Sequence, residues 1–333
     1  MKELKIQYKK ILSDYISNQT ERNLYIGQNF VRQLIQKNIA PEDVINIHKQ
    51  AMEDLFENLS IETRHSFDFL IEIMIHFGLT LKEHQSLLEL QEEMKAEISV
   101  ATKIQSMLLK TSIPKSDFLD IGMVSIPIRK MNGDYVHFIN DEESYISVGV
   151  TDVVGKGVPA ALCMSMVKYG LDTLEYADTN PSQVLSILNR IIEKSVDDSM
   201  FVSMFYGRFD FLQGIFTYGS AGHEPAIHYS AQADAFYDLD SKGLLLGVMP
   251  EVRYAQNHVL LEQNDIIIMM TDGVTEFRKE SELVPQTIIK EFIRSAKHLP
   301  AQEICEKLYQ YLLKFQEFDL QDDFTVVIFK KIN

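Results

Sequence analysis

Apolar residues recur every three or four positions from the start of the chain to about residue 110, and after Pro114 they gather into short runs bounded by Gly, Asp and Asn. The first pattern is helical: Phe67, Leu70, Met74 and Phe77 mark one face. Pro41 suits a first helical turn, with Glu42 and Asp43 facing the positive end of the helix dipole, and Ser60 suits an N-cap. Four helices are predicted, near 3–18, 21–38, 41–57 and 61–84, packed as a bundle. The pattern then continues through Leu87, Leu90, Met94, Ile98, Ala101, Ile104 and Leu108, with Gln91 and Gln105 flanking the stripe. Its mean step of 3.5 residues is that of a coiled-coil seam. A long amphipathic helix lying on its own domain satisfies the same spacing.

Helix breakers divide the chain at the same place. Only Gly27, Gly78 and Pro41 precede residue 114. Beyond it, "FLDIGMVSIPI", "SYISVGVTDV", "MFVSMFYGRFD", "GIFTYGSAG", "DIIIMMTDG" and "FTVVIFKK" read as strands. Helix pairs interrupt them near 158–176 with 181–197 and 285–297 with 300–316, so the second half is expected to be an α+β domain with helices packed on sheets.

Composition narrows the function. With 48 acidic against 32 basic residues the net charge is -16, which excludes a nucleic-acid footprint of clustered positive charge. Two isolated cysteines, Cys163 and Cys305, make neither a disulfide framework nor a zinc site. The opening "MKELKIQYKKIL" has no apolar signal core and "IIIMM" is far short of a membrane span, so the expected location is cytoplasmic.

The candidate chemistry lies in aspartates abutting strands. Asp134 is expected in a turn before "YVHFI", Asp152 and Asp272 at the ends of two strands, and Asp322 and Asp323 at the start of the last. Each alone is an ordinary turn residue. Together, converging in one core, they form a cluster of like charges that needs a cation to stay ionised. An all-oxygen set without His or Cys points to Mg²⁺ or Mn²⁺. "VVGKGVP" is no P-loop: five residues separate Gly149 from Gly155, and Gly157 stands where the hydroxyl residue belongs. Cys163, in the apolar stretch "AALCMSM", reads as a buried thiol.

In order, "GDY", "TDVVGKGVPAAL", "SAGHEP", "TDGVTE" and "DDFT" resemble the motifs of the bacterial PP2C-like serine phosphatases of the SpoIIE type, over residues 118–331. The stretch "LTLKEHQSLLELQEEMKAEISVATKIQ" and the helices before it are similar to the members that switch on the general stress sigma factor in Gram-positive bacteria. The resemblance implies an α/β/β/α sandwich behind a helical linker (85–112) and an N-terminal partner-binding and dimerisation domain (1–84). It implies two divalent ions, Mn²⁺ or Mg²⁺, held by Asp134, Asp152, the Val153 carbonyl, Asp272 and Asp322, with Asp152 bridging both and Asp323 serving the turn. His223 is expected to make a structural hydrogen bond. The implied substrate is a phosphoserine on an anti-anti-sigma factor of the STAS type, and the implied partners are an activating switch-kinase-type protein and a second copy of the chain. A phosphatase-like scaffold without turnover is the rival reading, and the intact aspartates oppose it.

Overall fold

The computed structural model of the chain describes residues 2–333 apart from 129–131, 156, 175–178, 196–199, 276–277, 280–281, 284–285 and 315–321; for 278–279 and 282–283 it describes the backbone alone. The expected helix ends at 176, 197 and 316, the helix start at 285, and Lys156 lie outside the described residues. The chain divides into two compact units, Met1–Ala96 and Glu97–Asn333.

In the first unit, α1 (Lys2–Ser17), α2 (Glu21–Gln36) and α3 (Pro41–Leu55) close on Leu4, Phe30 and Leu34, with Tyr8, Ile11, Ile39 and Val44 packed around them. Pro41 opens α3 as expected, and Ser60 caps the next helix by accepting the Thr63 N–H at 3.2 Å. That helix, α4 (Ile61–Leu108), meets α3 through the His48–Phe67 ring contact and the Lys49–Asp68 ion pair. It has no break near residue 84 and runs unbroken for 48 residues. No proline interrupts it, and the helical cost of Gly78, about 1 kcal/mol, is too small to end it. Gly78 instead admits the start of α3: a Cβ there would stand 3.3 Å from the Glu42 carboxylate. Every side chain from Leu81 to Ile98 is exposed. Gln105, expected on the flank of the stripe, is instead the buried residue of α4.

The second unit contains two five-stranded antiparallel sheets and a two-stranded ribbon of β10 (Arg278–Lys279) and β11 (Glu282–Leu283). One is built from β1 (Leu119–Ile126), β6 (Ala226–Ser230), β7 (Ala235–Leu239), β9 (Ile266–Met270) and β12 (Phe324–Lys331), in the order β1-β12-β9-β6-β7. The other is β2 (Asp134–Asp141), β3 (Tyr145–Val154), β4 (Phe201–Asp210), β5 (Ile215–Ala221) and β8 (Asn257–Leu260), in chain order. Strand alternation supplies the layering. In β12, Val327 and Phe329 face a core shared between the sheets, while Phe324, Val326 and Ile328 face α8 (Gln286–Ala296) and α9 (Ala301–Leu313). On the other side, Met204 and Tyr206 of β4 pack against α5 (Val158–Asp172) and α6 (Pro181–Ser195). This is the expected α/β/β/α sandwich. The six runs foreseen as strands are present, and so is β2 at "YVHFI"; β6, β7, β8, β10 and β11 were not marked in the sequence. Among the described residues no helix is long and apolar enough to cross a membrane.

Candidate metal centre

Three chain segments bring the carboxylates together. Strands β2 and β3 pair so that Asp134 stands directly opposite Asp152. Asp134 is thus the first residue of a strand, not a turn residue. Asp272 begins the short helix α7 (Asp272–Thr275) instead of ending β9. The Asp272–Gly273 backbone comes so close to β12 that a Cβ on Gly273 would stand 1.9 Å from the Asp323 carbonyl oxygen. Glycine is required there by close approach, and it sets Asp272 beside Asp322.

A pocket of about 250 Å³ is lined by Asp152, Val153, Asp272, Asp322 and Asp323, with Gly155, Gly157 and Ala160 at the turn into α5. Gly155 (φ 131°) and Gly157 (φ 81°) take backbone conformations that L side chains rarely adopt, so the sharp turn beneath Asp152 depends on them. Asp134 lies behind this pocket, buried, its Oδ2 accepting the Thr271 hydroxyl at 2.8 Å. Asp323 accepts main-chain N–H groups from Ile128 at 2.8 Å and Gly133 at 2.6 Å.

Burial, followed by repulsion from Asp272, Asp322 and Asp323, pushes the Asp152 carboxyl up to about 7. Burial is also the main cause that holds Asp134 well above the usual carboxylate range, against hydrogen bonds from Thr325 and Thr271. A positive charge among these groups relieves both. Among the described residues no three acidic or histidine side chains are drawn tightly enough to hold an ion as they stand. The donor set nonetheless fits a hard cation. The point where a Gly133 Cβ would stand is 3.3 Å from Asp323 Oδ2, 3.6 Å from Asp152 Oδ1 and 3.9 Å from the Val153 carbonyl oxygen, an oxygen-only cradle.

His223 is half-buried, pushed down to about 4 by burial, and its Nδ1 is 2.8 Å from Ser203 Oγ. Ser203 is the register partner of Asp152 on β4, so the neutral imidazole braces the strand beside the site. Cys163 is buried, its thiol pushed up to about 11, which leaves no thiolate for catalysis. Sequence reasoning missed Asn132, whose Oδ1 accepts the Asp134 N–H at 3.0 Å, and Thr325, a partner of Asp134. The Asn of "NGD" was the available signal for the first.

Comparison with known proteins agrees with this fold. The family model "Stage II sporulation protein E (SpoIIE)" matches residues 142–331, and "Phosphoserine phosphatase RsbU, N-terminal domain" matches residues 6–80. Phosphoserine phosphatase RsbU of Bacillus subtilis (strain 168) is 44% identical over 98% of this chain and 97% of its own length. The SiaA PP2C domain of Pseudomonas aeruginosa superposes with a TM-score of 0.61 at 17% identity, covering 72% of this chain and 98% of that one. The catalytic domain of the serine/threonine phosphatase PstP, solved in complex with 2 manganese ions, superposes with a TM-score of 0.50 at 13% identity, covering 65% of this chain and 99% of that one. With the sandwich, the ring of aspartates and a relative this similar along nearly the whole chain, the protein belongs to the RsbU-like branch of the SpoIIE-type, PP2C-like serine phosphatases.

Proposed function

We propose that the chain hydrolyses phosphoserine on a small anti-anti-sigma factor of the STAS type, using two divalent cations, Mn²⁺ or Mg²⁺, within a partner-switching stress response. The observation that carries this reading is the meeting of Asp152, Asp272 and Asp322 with Val153 around one pocket. The 44% identical relative bears the name phosphoserine phosphatase, and the PstP structure contains two manganese ions. Asp152, Asp272, Asp322 and the Val153 carbonyl would hold the ions, with Asp134 fixed beside them by Thr271 and Thr325. When bound, such ions supply acidified water and positive charge opposite the phosphoryl oxygens. The chain's own residues do the rest. Gly155, Gly157 and Ala160 bring the start of α5 to the border of the pocket, and a helix N-terminus favours an anionic substrate. Asp323 holds Ile128 and Gly133 through their N–H groups, and neutral His223 braces β4 without offering a proton.

The N-terminal unit, matched over residues 6–80 by the RsbU N-terminal model, is read as the seat of an activating switch-kinase-type protein and of homodimerisation, with the seam from Leu87 to Leu108 as linker. The experiment is a phosphatase assay on the phosphorylated anti-anti-sigma factor with Mn²⁺, with chelator, and with the activating partner added. Phosphate release that requires Mn²⁺ and rises with the partner is expected. Release unaffected by chelator would overturn the metal mechanism.

A further inference from the structure

Along the 48 residues of α4 the buried side chain is Gln105, only 5% exposed. A glutamine is an expensive residue to bury unless both ends of its amide are satisfied. Here both are. Its Nε2 donates to the Asn132 carbonyl at 2.9 Å, and its Oε1 accepts the Asn132 N–H at 3.3 Å. The amide therefore pairs with the main chain of a single residue, much as a neighbouring strand would.

That residue is the hub of the candidate centre. Asn132 Oδ1 takes the Asp134 N–H at 3.0 Å. The next carbonyl, that of Gly133, takes the Val153 N–H at 3.3 Å. The Gly133 N–H goes to Asp323 Oδ2 at 2.6 Å. Asn132 and Gly133 thus tie together β2, β3 and the start of β12. Apolar filling does not do the same work, because a cavity of about 240 Å³ lined by Gln105, Leu109, Thr111, Asn132 and Asp134 lies beside it.

We propose that Gln105 is a positioning residue for the metal centre: by pairing with Asn132 it fixes the Asn132–Gly133 peptide, and through it the spacing of Asp134, Val153 and Asp323. The proposal rests on the reading that these segments hold the cations. Without the pair, the Asn132 peptide turns to water in the adjoining cavity, and the loop samples arrangements that do not bind. Apparent metal affinity then falls by the fraction of time the competent arrangement is lost. Saturating metal selects that arrangement again, so turnover recovers at high metal.

The test uses the full chain and its Gln105→Met, Gln105→Asn, Met107→Gln and Asp152→Asn variants. Methionine keeps the length without the amide, and asparagine keeps the amide but falls short of Asn132. Met107 is exposed on the same stretch of helix and serves as the control. Mn²⁺ binding is read from the electron paramagnetic resonance of the free ion, folding from circular dichroism, and loop order from hydrogen exchange at Asn132 and Gly133. Both Gln105 variants are expected to bind Mn²⁺ about tenfold more weakly, with faster exchange at those two amides and near-normal turnover at saturating Mn²⁺. Met107→Gln is expected to match the parent. Parental Mn²⁺ affinity in both Gln105 variants, with binding lost in Asp152→Asn, overturns the proposal and leaves the metal centre standing; so does a lower melting temperature without any change in affinity. Parental affinity in Asp152→Asn overturns the metal centre itself.

Discussion

The two compact units bury their apolar residues very differently. The sandwich has one core between its sheets and another under each helix pair, so almost every strand residue that faces inward is covered. In the N-terminal unit the cluster of buried residues is Leu4, Phe30 and Leu34, whereas Tyr25, Val31, Ile35, Phe69 and Phe77 are exposed. Exposed apolar surface on this scale marks a face that something else covers. The sandwich buries its own apolar residues, whereas the helical unit leaves many of its own exposed.

The sharpest way to break this comparison is at the site itself. Asp152→Asn should abolish Mn²⁺-dependent phosphate release by several orders of magnitude with the circular dichroism spectrum unchanged, since the residue faces every other carboxylate of the pocket. Near-normal turnover would mean that the complete fold is not the whole of the catalyst. Next in size is the contrast between neighbours. Asp322→Asn should depress activity far more than Asp323→Asn, whereas Asp323→Asn should lower unfolding stability by about 1–3 kcal/mol, because an amide nitrogen would then face a main-chain N–H. Activity assays beside urea melts separate the two, and the opposite order would identify Asp323 as the ligand.

The helical side is tested by association. The full chain should be a dimer by light scattering at micromolar concentration, and Phe77→Glu should weaken the dimer while leaving the unpartnered basal activity intact. A monomeric parent chain would remove the reason given for the exposed face. The smallest effect expected is on acid stability of the sandwich. His137, beside Tyr135 Oη at 2.9 Å and facing Asp172 and Lys168, is pushed down to about 4 by burial. The unfolded chain takes up its proton near 6.5 and the folded one only near 4, so stability is lost as pH falls through that interval. Melting temperatures of His137→Gln should fall less steeply between those limits than the parent's.

The sandwich was legible because antiparallel strands with two buried faces read as short runs of Val, Ile, Phe and Met, and because breakers punctuate them. Strands β7 and β8 escaped since they stand at sheet edges with two of five and three of four residues exposed, which erases the apolar run. Asp152, Asp272 and Asp322 were found as a set, and the pocket brings them together. What no periodicity could reveal is which carboxylate faces the pocket and which turns to a hydroxyl. Asp134 and Asp323 are chemically the same as the others, and only register and hydrogen bonding tell them apart. Gln105 was misread for a related reason: helical spacing assigns a face, not the loop that packs against it.

The strand order carries a consequence for how the molecule is made. Strand β12, the last in chain order, is not an edge strand; it lies between β1 and β9 and pairs with both. Asp322 and Asp323 immediately precede it. During synthesis the first sheet therefore stays split until this segment clears the ribosome, and β1 waits through some two hundred residues of chain for β12, its partner strand among the described residues. A chain stalled before this segment carries its N-terminal helices but lacks Asp322 and Asp323, so the pocket around Asp152 is still unfinished.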